Sequence, residues 1–168
     1  MPRKPISEGI LVRDCEGRYR LSGAVSEDRL VAEVARILEA RIVGAELTKP
    51  NDAREFLRLR LGPLEHEAFS CLFLDTRHRV LEFSVIFRGS IASATIHPRE
   101  VVKDALKLNA AAVIFAHNHP SGVAEPSAAD MAITRKLVEA LTLVDIRVLD
   151  HIVVGHAVEA SFAELGLL

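Results

Sequence analysis

The chain has 168 residues, 49% of them apolar, 26% charged and 5% aromatic, a balance that fits one globular domain and excludes disorder, collagen-like repeats and a disulfide scaffold. It carries 21 basic against 23 acidic residues, a net charge of −2, so no bulk electrostatic drive pulls it toward DNA or an anionic membrane. The longest apolar run, Ala110 to Ala116, falls far below the roughly 18 residues of a membrane span; with no signal-peptide pattern in MPRKPISEGILVRD, the expectation is a cytoplasmic protein with no membrane partner.

The first 25 residues, rich in Pro, Gly, Arg and Ser, read as an arm. From Ser26, a candidate N-cap, SEDRLVAEVARILEARI places Leu30, Val31, Val34, Ala35 and Leu38 on one helical face, and Gly44 ends that helix. A second, shorter helix, NDAREFLRLRL, opens with Asn51 or Asp52 as cap and closes before Gly62-Pro63. EAFSCLFLD and VLEFSVIFRGS, joined by the polar turn TRHR, predict a β-hairpin. Phe69, Cys71 and Phe73 alternate with Leu72 and Leu74, so both faces of the first strand are apolar and helices should cover the sheet on both sides.

Ile91 to His97 is a further candidate strand. Pro98 suits the first turn of a helix with Val101, Val102, Ala105 and Leu106 inward, stopped by Asn109. AAAVIFA reads as a central strand running into the loop HNHPSGVAEPS; Ser127 opens the helix SAADMAITRKLVEALTLV, and IRVLDHIVVG supplies one or two final strands. The expected architecture is α/β: a mixed sheet sandwiched by helices, preceded by a small helical N-terminal extension. Residues 1–50 form the arm and first helix, and residues 51–168 the main domain.

His117 and His119 stand two apart at the end of a strand, where residues i and i+2 project to the same side. Asp130 lies in the first turn of the following helix, within reach of both rings across a tight loop. Two histidines and one carboxylate leave the fourth tetrahedral position of Zn²⁺ open to water, as catalytic zinc sites require. Hydrolysis also needs a carboxylate to take and return a proton. Ser127, on about the same helix face as Asp130, is placed to hydrogen-bond that water or a developing oxyanion. Ser127 and Asp130 equally make a helix start, and the two roles are compatible.

HNHPSGVAEPSAAD, with seven residues between His119 and Ser127 and two more before Asp130, resembles the pattern of the JAMM or MPN-type zinc metallopeptidases. LFLDTRHRV, HPREVVKDALKLNAAAVIFAHNHPSG, ITRKLVEALTLVDIRVLDHIVVG and SFAE resemble the RadC-like branch of that family over roughly residues 50 to 165. The resemblance implies a JAMM/MPN-like fold and a zinc-dependent hydrolase of peptide or isopeptide bonds. It implies His117, His119 and Asp130 as zinc ligands, Ser127 at the oxyanion, and as general acid/base Glu67, or alternatively Glu65, preceding the first sheet strand. The substrate would be a protein or peptide.

The runner-up is a DNA repair accessory without peptidase turnover, following the family's association with DNA. Residues 1–50 lack the glycine-punctuated helix-hairpin-helix of longer RadC-like proteins, and the net charge does not favour nucleic acid. A zinc-stabilised module without turnover is a third reading, but its non-catalytic relatives typically lack intact ligands. A zinc nucleobase deaminase is discarded, since its H-x-E and P-C-x-x-C signature is absent. Leu165 and Ser90 stand where the branch carries arginine and threonine, away from the ligands.

His151, next to Asp150 in a strand-like run, is open to a hydrogen bond near the site but reads first as a satisfied core histidine, outside the ligand set. Asn118 is expected to shape the histidine loop, and His66, His78, His97 and His156 have no partner set. Cys15 and Cys71 read as free thiols, Cys71 packed in its strand, and the Arg54, Arg58, Arg60 and Arg77-His78-Arg79 groups as solvated surface.

Overall fold

In the computed structural model, which describes residues 10–47, 50–89 and 96–168, the stretch read as an arm contains a short antiparallel hairpin, β1 (Leu11–Arg13) and β2 (Tyr19–Leu21). One Asp14 carboxylate oxygen accepts the backbone N–H groups of Glu16 and Arg18 and so closes its turn. Residues 1–9 of the arm lie outside the described residues.

Helix α1 (Glu27–Ile42) follows Ser26, which has N-cap backbone geometry but makes no side-chain capping bond. Its apolar face is mostly half-buried, with Ala35 and Ile42 fully inside. Helix α2 (Pro50–Leu61) begins at Pro50, so Asn51 and Asp52 stand in its first turn instead of capping it. Its buried Ala53, Phe56, Leu57 and Leu61 form one stripe at helical spacing.

β3 (Ala68–Leu74) and β4 (Val80–Arg88) make the expected hairpin. Asp75 closes it by accepting the N–H groups of Arg77 and Arg79. The candidate strand 91–97 falls mostly on residues outside those described. Helix α3 (Pro98–Lys107) has Pro98 in its first turn, as expected, with Val101 and Ala105 buried and Val102 packed beside them. Leu106, expected inward, is 56% exposed, because one step of about 100° beyond Ala105 carries it past the buried stripe. Asn109 takes φ +53°, and the N–H of Ala110 reaches the carbonyl of Ala105, which terminates the helix.

β5 (Ala112–Asn118), α4 (Ala128–Thr142) and β6 (Arg147–Val154) form a parallel β-α-β unit. IRVLDHIVVG yields one strand, and β7 (Glu159–Ser161) pairs antiparallel with it. The main sheet runs β4-β3-β5-β6-β7 and is mixed. On one face Phe56, Leu57 and Leu61 pack with Leu72, Leu74, Ile114 and Ile152; on the other Val101, Ala105, Leu137 and Leu141 pack with Phe69, Phe73, Val113 and Phe115. The expected sandwich of helices on a mixed sheet is therefore present, and its buried β3 is covered on both sides as the double alternation required.

One irregularity matters for the site. β5 and β6 pair Val113 with Val148 and then Ile114 with Asp150, leaving Leu149 as an inserted residue. Leu149 and Asp150 both face the α2 layer, and His151 is returned to the face that carries Phe115.

Candidate metal centre

β5 delivers His117 at its end, and His119 follows one residue beyond the strand on the same side. Ser127 caps α4: its Oγ accepts the Asp130 N–H at 3.1 Å, while Asp130 Oδ2 accepts the Ser127 N–H at 2.7 Å. This reciprocal cap fixes the carboxylate at the helix start. Glu67 immediately precedes β3, whose Phe69 is paired with His117. The carboxylates of Glu67 and Asp130 and the rings of His117 and His119 each place one donor atom within 4.8 Å of all the others. Glu65 is exposed and outside this group.

His117 Nε2 lies 3.0 Å from His119 Nε2 and 3.4 Å from Asp130 Oδ1, and His119 Nε2 lies 3.5 Å from Asp130 Oδ2. Ligands about 2.0–2.2 Å from a tetrahedral ion stand roughly 3.3–3.6 Å apart; the two histidine–carboxylate distances fall in that range and the histidine–histidine distance is a little shorter, so the donor set fits a small tetrahedral cation such as zinc. The chemistry of the donors agrees. His119 Nδ1 is 2.8 Å from the carbonyl of Val123; a carbonyl only accepts, so Nδ1 carries the proton and Nε2 offers a lone pair. A lone pair at His119 Nε2, a second ring nitrogen and a carboxylate meeting at one point can share a cation.

His117 and Asp130 are buried, whereas the His119 side chain keeps 19% of its exposure and Ser127 is open to solvent. The group therefore has an open side. Burial pushes the Asp130 carboxyl upward, but the neighbouring His117 and the Ser127 contacts outweigh it and hold the group well below the usual carboxylate range. Burial holds His151 well below its ordinary value of 6.5, so its ring is neutral.

Two polar neighbours, Asn118 and His151, hold the surroundings of the cluster. Asn118, between the two histidines, points to the opposite side of β5. Its Oδ1 accepts the Ala68 N–H at 2.8 Å, and its Nδ2 donates to the carbonyls of Leu64 at 3.1 Å and His66 at 3.0 Å. It thus ties down the segment carrying Glu67, not the histidine loop; strand alternation signals its direction but not its partners. His151 is buried and satisfied, as expected, but its partners are His117, at 2.8 Å, and Thr134, at 2.6 Å.

The loop after His119 is held by backbone. His119 N–H reaches the carbonyl of Val154, and Gly122 N–H reaches that of His119. A Cβ on Gly155 would stand 2.3 Å from the Gly122 oxygen, so glycine permits this approach. A cavity of about 330 Å³ on the α2 face, lined by Arg54, Ile114, Asp150 and Glu164 among others, includes none of the four clustered residues. Cys15 is exposed and Cys71 buried, both as free thiols; burial pushes the Cys71 thiol well up. Among the described residues no helix is long and apolar enough to cross a membrane.

A family model described as "RadC-like JAB domain" matches residues 47–167, a span that contains every clustered residue. The chain is similar to a UPF0758 protein of Vibrio cholerae, 55% identical over 152 residues that cover 90% of this chain and 96% of that protein. It is similar to UPF0758 proteins of Thioalkalivibrio sulfidiphilus, 53% identical over 98% of this chain and 74% of that protein, and of Marinobacter nauticus, 62% identical over 74% of this chain and 56% of that protein. The latter two are thus longer than the matched region.

Proposed function

This chain belongs to the RadC-like JAB domain family, and on that premise we propose that it is a zinc-dependent hydrolase of peptide or isopeptide bonds. The observation that carries the reading is the meeting of His117 Nε2, His119 Nε2 and the Asp130 carboxylate within 3.0–3.5 Å of one another, with Glu67 beside them. Residues 51–168 are then the catalytic domain, with residues 1–50 appended to it.

His117 and His119 would hold zinc through ring lone pairs, and Asp130 would offset part of its charge from a buried position. The ion would supply a Lewis acid and a water activated near neutral pH. Glu67, half-buried beside these ligands, takes the proton of the attacking water at its carboxylate and hands it to the departing amine. The Ser127 hydroxyl already accepts from the Asp130 N–H; its own O–H hydrogen donates to the substrate carbonyl oxygen as negative charge builds there.

The geometry supports hydrolysis better than DNA binding. Arg54, Arg58 and Arg60 each pair with a carboxylate, of Glu164, Glu159 and Glu39 respectively, and Arg79 with Asp75. These pairs neutralise the local fields on which phosphate contacts depend.

The test is elemental analysis of protein purified without added metal, followed by peptide and isopeptide assays. Wild type should carry about one zinc per chain, and His119→Ala and Asp130→Ala should lose it. Glu67→Gln should keep zinc and lose about 10²–10⁴-fold in turnover. Wild type without metal after zinc is offered at neutral pH, or Glu67→Gln as active as wild type, would refute the proposal.

A further inference from the structure

His151 occupies a box of aromatic rings. It stacks on Phe162 at 4.5 Å between centroids and lies edge-on to Phe69 at 5.4 Å and Phe115 at 6.1 Å, fully buried. An apolar side chain would fill such a box without the cost of burying two ring nitrogens. Those nitrogens are instead spent on two contacts, one to a member of the ligand cluster and one to Thr134.

The direction of every proton in this chain follows from one fixed point. Thr134 Oγ1 lies 2.6 Å from the carbonyl of Asp130, which only accepts, so the single hydroxyl proton is committed there. The 2.6 Å contact between Thr134 Oγ1 and His151 Nδ1 must then be a donation from Nδ1–H to the hydroxyl oxygen. A neutral ring protonated at Nδ1 has its lone pair at Nε2. His117 Nδ1, 2.8 Å away, must donate to it. His117 is thereby left with a lone pair at Nε2, the atom that faces His119 and Asp130.

We propose that Thr134 and His151 are positioning residues that, through this relay, fix His117 in the tautomer and orientation that bind the metal. Histidine ligands commonly donate their second nitrogen to a carboxylate, a carbonyl or water; here the acceptor is another histidine whose own tautomer a threonine dictates. The relay starts at the backbone of Asp130, so one line of hydrogen bonds joins two ligands through β6. The inserted Leu149 makes this possible: without it His151 would pair with Ala116 and face the α2 layer, away from His117.

The inference rests on the metal reading above, and the experiment separates the two. Zinc affinity is measured by competition with a chromophoric chelator at fixed pH for wild type, Thr134→Ser, Thr134→Val and His151→Phe, and the ring tautomers of zinc-loaded wild type are read from imidazole ¹⁵N spectra. The hydroxyl is kept in Thr134→Ser, which should bind as wild type does. Affinity should fall about 10-fold in Thr134→Val and about 10–100-fold in His151→Phe. The spectra should show His151 and His117 protonated at Nδ1.

Thr134→Val binding as tightly as Thr134→Ser, or His151 protonated at Nε2, would overturn the relay while leaving the metal site standing. Wild type that takes up no zinc would overturn both. Should His151→Phe fail to fold, the threonine pair and the wild-type spectrum still decide.

Discussion

A buried histidine that stays neutral in the fold leaves a thermodynamic trace. Unfolded, His151 binds a proton as the pH falls through its ordinary value of 6.5; folded, it does not, because burial holds its value well below that. The unfolded state therefore carries more protons in this range, and stability must fall as the pH drops below about 6.5. Asp130 contributes nothing there. Its folded value is depressed below the unfolded 3.8, so its stabilisation is complete above about pH 4 and is lost only as the pH falls further. Metal-free protein should accordingly lose stability between pH 6.5 and 5 by up to about 1.4 kcal/mol per pH unit, and His151→Phe should flatten that slope. Chemical denaturation at a series of pH values measures both; equal slopes in the two proteins would show that His151 does not carry the effect.

At the scale of the elements, strand alternation divides the labour of β5. His117 turns to the α4 side and Asn118 to the other, where it holds the carbonyls and N–H of the segment before β3. Asn118→Ala removes three hydrogen bonds at a buried position and frees the approach of Glu67, while the histidines and α4 keep their places. It should cost about 1–3 kcal/mol of stability, retain zinc, and lower turnover. Zinc lost in step with activity would mean that Asn118 supports the ligands themselves.

The strand, the H-x-H spacing and the capped helix behind this geometry were legible because each is a local pattern: an apolar run, a period of two, a Ser-x-x-Asp start. What escaped was set by distant parts of the chain. VLDHIV alternates as any strand does, and only the pairing with β5 shows that Leu149 is inserted and His151 turned round. Gly155 meets Gly122 across two loops. The β1–β2 hairpin escaped for a local reason instead: it rests on the Asp14 turn, without an apolar alternation to announce it.

The clustered residues come from three separate places in the chain: before β3, at the end of β5 and at the start of α4. No short segment holds the set, so only the folded molecule brings it together, and metal binding must act on the stability of the whole. A ligand that binds only the native state stabilises it by about 2.7 kcal/mol at a free concentration 100 times its Kd. For a chain of this length each kcal/mol moves the Tm by about 2–4 °C, so zinc at that concentration should raise the melting point by about 5–10 °C, and a chelator should reverse the rise. His119→Ala should melt at the same temperature with and without zinc. Glu67→Gln should respond as wild type does, because in the proposed mechanism its carboxylate serves the reaction and not the holding of the ion. Calorimetric scans of the three proteins with zinc and with chelator make the comparison. A zinc response that survives in His119→Ala would place the stabilising ion somewhere other than between the two rings.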